Sequence, residues 1–139
     1  GSDEGVMAHL RTAALGLVPG GVLVIEATHP NDLTPAGTHE THWEEQEGNV
    51  TVTASFRLHI DEQEDSLVPV TLALESREGK RSVDYRAHGF WYIPDDAGWE
   101  RIAAGVPELE LVAKLGDLDT SVRHDSCTAW RLVLVFRRR

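Results

Sequence analysis

The side chains able to do chemistry fall into four short stretches. His29-Pro30-Asn31-Asp32 follows an apolar run, and His39 and His42 precede Trp43. Asp84, Arg86 and His88 alternate along one segment, and Asp117, Asp119, His124, Asp125 and Cys127 share a late stretch. A histidine near its ordinary pKa suits proton transfer, so His29 is the candidate general base. Asn31 and Asp32 beside it either contact a ligand or simply form the turn. His39-Glu40-Thr41-His42 lacks the HExxH spacing of a zinc protease, and no fourth ligand is suitably placed, so no metal is expected. The three late aspartates lack the ordered oxygen ladder and closing glutamate of a calcium loop. Cys127 reads as a small buried residue opening the last strand, not as a nucleophile.

These residues need elements to hold them. Met7, Leu10, Ala14, Leu15 and Val18 recur at helical spacing, and Asp3 and Glu4 suit a helix start, so residues 3–18 read as a helix. Pro19-Gly20-Gly21 ends it. Val22 to Ile25 is a continuous apolar run, expected as a parallel strand covered on both faces. His29 to Asp32 then lies at that strand's carboxyl end, where open α/β sheets place ligands. The polar stretch up to Gly48 reads as a long loop of the functional kind.

From Val50 to Ile60 apolar and polar residues alternate strictly, with Thr51, Thr53, Ser55, Arg57 and His59 on the wet side. Leu67 to Leu74 reads as a second strand, with Pro69 suggesting an edge, and 81–92 as a third. Three strands with short connections make an antiparallel meander over 49–92. On its third strand Asp84, Arg86 and His88 share a face, either a substrate-reading row or a solvated one; Trp43 either lids a substrate or covers the meander. Ile93-Pro94-Asp95-Asp96 starts a second helix that Gly105 ends. Strands follow at 108–115 and 129–136.

Composition narrows the partners. The chain has 139 residues, a formal charge of −10 and one cysteine. Acid and base are interleaved, so neither a nucleic-acid backbone nor an anionic membrane is an expected partner. Arg137 to Arg139 read as a solubilising end. With no internal disulfide, no signal-like start and no apolar segment near 18 residues, a cytoplasmic setting is expected.

The order of the pieces resembles class I S-adenosylmethionine-dependent methyltransferases, in an actinobacterial type with an inserted β-meander. The resemblance rests on the L-x-P-G-G helix exit (Leu17 to Gly21), the acid-tipped strand with His-Pro after it (Glu26 to Pro30), and Trp43, Gly48 and Val50. It continues through Arg86, Pro94 and Asp95, Leu115 to Asp119, and the Ala129 to Val133 strand. It implies an α/β fold: the C-terminal half of a Rossmann-like sheet, with a helix, the fifth strand, the last helix and two final strands, the last inserted antiparallel. One partial methyltransferase domain, 1–139, then contains the meander at 49–92 as a substrate lid.

The Gly-rich turn that holds the cofactor in that family has no counterpart here; the glycines at 16–21 precede a strand instead of following one. The resemblance therefore implies the substrate-side half of an enzyme that methylates a small molecule. S-adenosylmethionine would be the cofactor of the complete protein, not a ligand of this chain alone. It further implies His29 as the catalytic residue and Asn31, Asp32, His42, Trp43, Arg86 and His88 as substrate-binding. A second copy or a complementary N-terminal half is the expected partner. The alternative is a non-catalytic interaction module that pairs through its sheet.

Overall fold

A computed structural model describes residues 1–29, 31 and 39–139, with the backbone alone for His39. The chain divides into two compact units, residues 1–34 with 92–139, and residues 35–91.

The first unit is a three-stranded sheet with two helices. Helix α1 spans Asp3–Gly16; the Ser2 side chain accepts from the Gly5 N–H, and Asp3 and Glu4 occupy the positive end of its dipole. Strand β1 covers Val22–Thr28. The second helix (Asp96–Ala104) is capped by Asp95, whose carboxylate accepts from the Gly98 N–H at 2.7 Å. Strands Leu109–Leu115 and Arg131–Arg138 complete the unit. In the sheet the final strand lies between the other two and is antiparallel to both. The expected antiparallel insertion is therefore present.

The core explains the helix faces. Leu10 and Ala14 from α1 and Trp99 and Ile102 from the second helix pack with Leu132, Leu134 and Phe136 of the central strand. Leu23, Ile25 and Ala27 of β1 stand opposite those three strand residues and face the same core. The intervening Val22 and Val24 are 54% and 56% exposed. The uninterrupted apolar run thus suggested cover on two faces, whereas the described residues cover one.

Arg138 is not a loose basic tail. Its guanidinium donates to the carbonyl oxygens of Ala14 (2.8 Å) and Leu17, satisfying acceptors at the C-terminal end of α1. Arg137 pairs with Glu110 at 2.8 Å.

The second unit is a four-stranded antiparallel meander: β2 (His39–Glu47), β3 (Val50–Leu58), β4 (Leu67–Glu78) and β5 (Arg81–Tyr92), in that spatial order, with Tyr92 itself counted in the first unit. In sequence order the second helix becomes α2 and the last two strands β6 and β7. The expected loop thus contains a strand. HETHWEEQE carries one large apolar residue, so it has no hydrophobic period, yet as an edge strand it needs only one partner. Gly48 (φ +61°) makes the β2–β3 turn and Gly79 (φ +59°) the β4–β5 turn. β4 is an interior strand, not an edge; Pro69 is tolerated because the β3–β4 ladder ends at Val70.

Candidate functional site

His29 sits just past β1, buried at 6% exposure. The loop between β6 and β7 closes over it. The two His29 ring nitrogens have different neighbours: the Asn31 N–H donates to Nδ1 at 3.0 Å, and Nε2 lies 2.7 Å from the His124 carbonyl oxygen. A carbonyl only accepts, so Nε2 carries the hydrogen and Nδ1 the lone pair. Both positions are therefore occupied, and the ring holds the loop instead of presenting a free base.

Asn31 completes the latch, its amide donating to the carbonyls of Ser126 (3.1 Å) and Ala129 (2.9 Å). Asp32 lies outside the described residues. The His124 ring approaches Asp96 at 3.8 Å, and Lys114 bridges Asp96 (2.9 Å) and Glu100 (2.6 Å). Burial pushes the Lys114 pKa down, but the bonds to Glu100 and Asp96 more than offset this and raise it overall.

Within the loop, Asp117 accepts from the Leu118 N–H (2.6 Å) and the Trp130 indole N–H (3.0 Å), and Asp119 from the Ser121 N–H and hydroxyl. The aspartates are thus turn-forming acceptors. Gly116 has no room for a side chain: a Cβ there would strike the Arg123 carbonyl oxygen and come within 2.6 Å of Ala129 Cβ. Cys127 is exposed, not buried. It lies in the loop and β7 begins only at Arg131, so no strand buries it.

On the meander, strand register sorts the other candidates. His42 stands opposite Ser55, and Ser55 opposite Ala73. His42 and Arg86 line one shallow depression of about 480 Å³, together with Ser55, Glu75 and Asp84. His88 lines a smaller one, about 280 Å³, with His59, Glu62, Thr71 and Phe90. Trp43 pairs with Ala54 and so belongs to the opposite face, where it is half exposed and Phe56 and Trp91 stack at 4.7 Å. His42, Arg86 and His88 therefore share a face that Trp43 does not.

His59 and Thr71 are polar partners that sequence reasoning did not single out. Thr71 Oγ1 lies 3.0 Å from His59 Nε2 and 3.1 Å from His88 Nδ1. The available signal was the wet-face alternation that already contained His59. Among the described residues no group of histidines, cysteines and carboxylates is arranged to hold a metal, and no helix is long and apolar enough to cross a membrane.

An S-adenosylmethionine-dependent methyltransferase from Clostridium acetobutylicum matches 99% of this chain with a TM-score of 0.72 at 14% identity, and 52% of its own length is covered. The fold is half of a methyltransferase fold. An amino pentose methyltransferase from Micromonospora echinaspora matches 100% of the chain (TM-score 0.70, 17% identity, 52% of its own length). A sugar N-methyltransferase from Streptoalloteichus matches 99% (0.72, 18%, 50%). The chain thus spans about half the length of these structures. No family model and no curated protein sequence matches it.

Proposed function

We propose that this chain is the substrate-side half of an enzyme that transfers a methyl group from S-adenosylmethionine to a small molecule. The observation carrying this reading is the β1-β7-β6 order with β7 antiparallel between its neighbours, preceded by a helix and interrupted by a meander, over a match that runs the whole chain. The neighbours' sugar substrates support a small polar acceptor. In this half the protein's task is to hold the acceptor in line with the methyl donor. The cofactor-binding half lies outside these 139 residues, since no Gly-rich turn follows a strand.

The two occupied ring nitrogens of His29 fit a structural latch better than a proton acceptor. The polar meander face, with His42, Arg86 and His88, is the better supported acceptor surface.

Calorimetry tests the division of labour. The isolated chain is expected to give no saturable heat with S-adenosylmethionine up to millimolar concentration; one-site binding by the monomer would overturn the assignment of the cofactor to a missing half. A second reading, a non-catalytic module that pairs through its sheet, is favoured by the exposed Val22 and Val24 on β1. Native mass spectrometry separates the two: a stable dimer of the isolated chain supports pairing between copies.

A further inference from the structure

We propose that the depression beside His88 binds an organic amine through its N–H groups, with Thr71, His59 and Glu62 fixing the tautomer that His88 presents. Binding stands independently of methyl transfer; only the later fate of the amine rests on that reading.

Glu62 lies 3.6 Å from His59 Nδ1, too far for a full hydrogen bond but near enough to favour an N–H over a lone pair facing it. A neutral His59 therefore keeps its hydrogen on Nδ1, and its Nε2 is an acceptor. The Thr71 hydroxyl, 3.0 Å away, has one hydrogen and gives it to that nitrogen. Thr71 Oγ1 then accepts from His88 Nδ1–H at 3.1 Å. His88 is thereby fixed as the tautomer whose Nε2 bears a lone pair, on an exposed ring lining the depression. Four side chains on three segments thus set the state of one atom.

The lining selects the ligand. His88 Nε2 and the Glu62 carboxylate are both acceptors, so the ligand must donate. Pro69, Val70 and the exposed Phe90 ring supply an apolar floor. An ammonium on an apolar body meets all three: its N–H groups reach the acceptors, its charge faces Glu62, and Phe90 offers a π face. A carboxylate or phosphate would meet acceptors only. Other charged groups of the surrounding segments, among them Arg57 opposite Thr71, Glu40 opposite Arg57, Asp61 beside Glu62, and Asp84 and Arg86 on β5, do not line the depression.

Benzylamine hydrochloride, benzyl alcohol and benzoate, titrated into the full chain and followed by NMR of the histidine and phenylalanine side chains, test this. Benzylamine is expected to shift the His88 and Phe90 signals saturably, at least tenfold more tightly than the alcohol, with no response to benzoate. Glu62→Gln and Thr71→Val are each expected to weaken benzylamine about tenfold while the backbone amide spectrum stays dispersed. Equal affinity for amine and alcohol, no saturable shift at His88, or undiminished binding by Glu62→Gln overturns the proposal. Should Thr71→Val lose its dispersed spectrum, Thr71→Ser, which keeps the hydroxyl, is expected to retain binding; loss of binding by a folded Ser variant overturns it equally. Absence of S-adenosylmethionine binding leaves every one of these outcomes unchanged.

Discussion

His29→Ala tests whether this histidine is a latch or a base. The ring is buried, its Nε2–H donates to the His124 carbonyl and its Nδ1 accepts from the Asn31 N–H. Removing it deletes two hydrogen bonds, each worth about 1 kcal/mol net, and strands a carbonyl and an amide. The cavity left by a buried ring adds a further ~1 kcal/mol or more. The expected loss is about 3 kcal/mol, read by urea denaturation. Asn31→Ala removes the bonds to the Ser126 and Ala129 carbonyls, the first of them exposed, at about 1–2 kcal/mol. Both act on the same loop, so the double variant is expected to fall short of the sum. Amide hydrogen exchange over residues 122–130 should rise in both variants before that of β7. A His29→Ala variant that loses less than about 0.5 kcal/mol, with exchange in the loop unchanged, would refute the latch and return His29 to the candidate bases.

Three further outcomes follow from the first unit. Gly116→Ala is expected to cost about 2–4 kcal/mol, because its Cβ would meet backbone at Arg123 and not a yielding side chain; denaturation midpoints check this. Arg138→Ala should cost about 1–2 kcal/mol and speed amide exchange at the end of α1, since the carbonyls of Ala14 and the capping Leu17 each lose a guanidinium hydrogen bond. The third outcome concerns acid. A hydrogen bond from the Ser121 N–H lowers the pKa of Asp119, and bonds from Arg123 and Arg137 lower those of Asp125 and Glu110. Each folded value lies below its unfolded one, so the unfolded chain binds more protons. Their contribution is present above the ordinary carboxylate pKa near 4 and is lost as pH falls through the depressed values. All three are exposed, so the effect should be small and shrink in salt; a denaturation series from pH 5 to 2 with Asp119→Asn as reference measures it.

Elements with a strong hydrophobic period were legible. Helix α1, strand β1 and the alternating β3 lie in the expected stretches, but α1 ends at Gly16, short of residue 18, Leu15 and Val18 are exposed, and the β1 pairing described is antiparallel, with β7. Strand β2 was not, because His39 to Glu47 owes its conformation to the ladder with β3 and not to its own pattern. The same distinction governs the site. Residue type marked His29 and His88 as chemically able, but partners 95 residues away for His29 and 17 away for His88 decide what each ring presents. Such partners leave no local trace in a sequence. Cys127 was misread for a related reason: the start of β7 is set by pairing of Arg131 with Thr28, not by the apolar content of the preceding residues.

The one-sided burial of β1 bears most directly on the proposed half-enzyme. Leu23, Ile25 and Ala27 face a finished core, yet Val22 and Val24 are more than half exposed. A sequence shaped only for the fold described here would gain by placing polar residues at those two positions, as an antiparallel sheet with one wet face does. Valine there is accounted for if a further layer covers that face. Substituting Val22 and Val24 together by threonine keeps the β-branched shape while removing apolar area. If the face is uncovered, the isolated chain should change stability by no more than about 0.5 kcal/mol and gain solubility. In the presence of a partner that covers it, the same pair should weaken association by tenfold or more, since each buried valine contributes about 1.5–3 kcal/mol. A loss of 2 kcal/mol or more in the isolated chain would show instead that these valines already serve its own core, and the argument for a missing layer would fall.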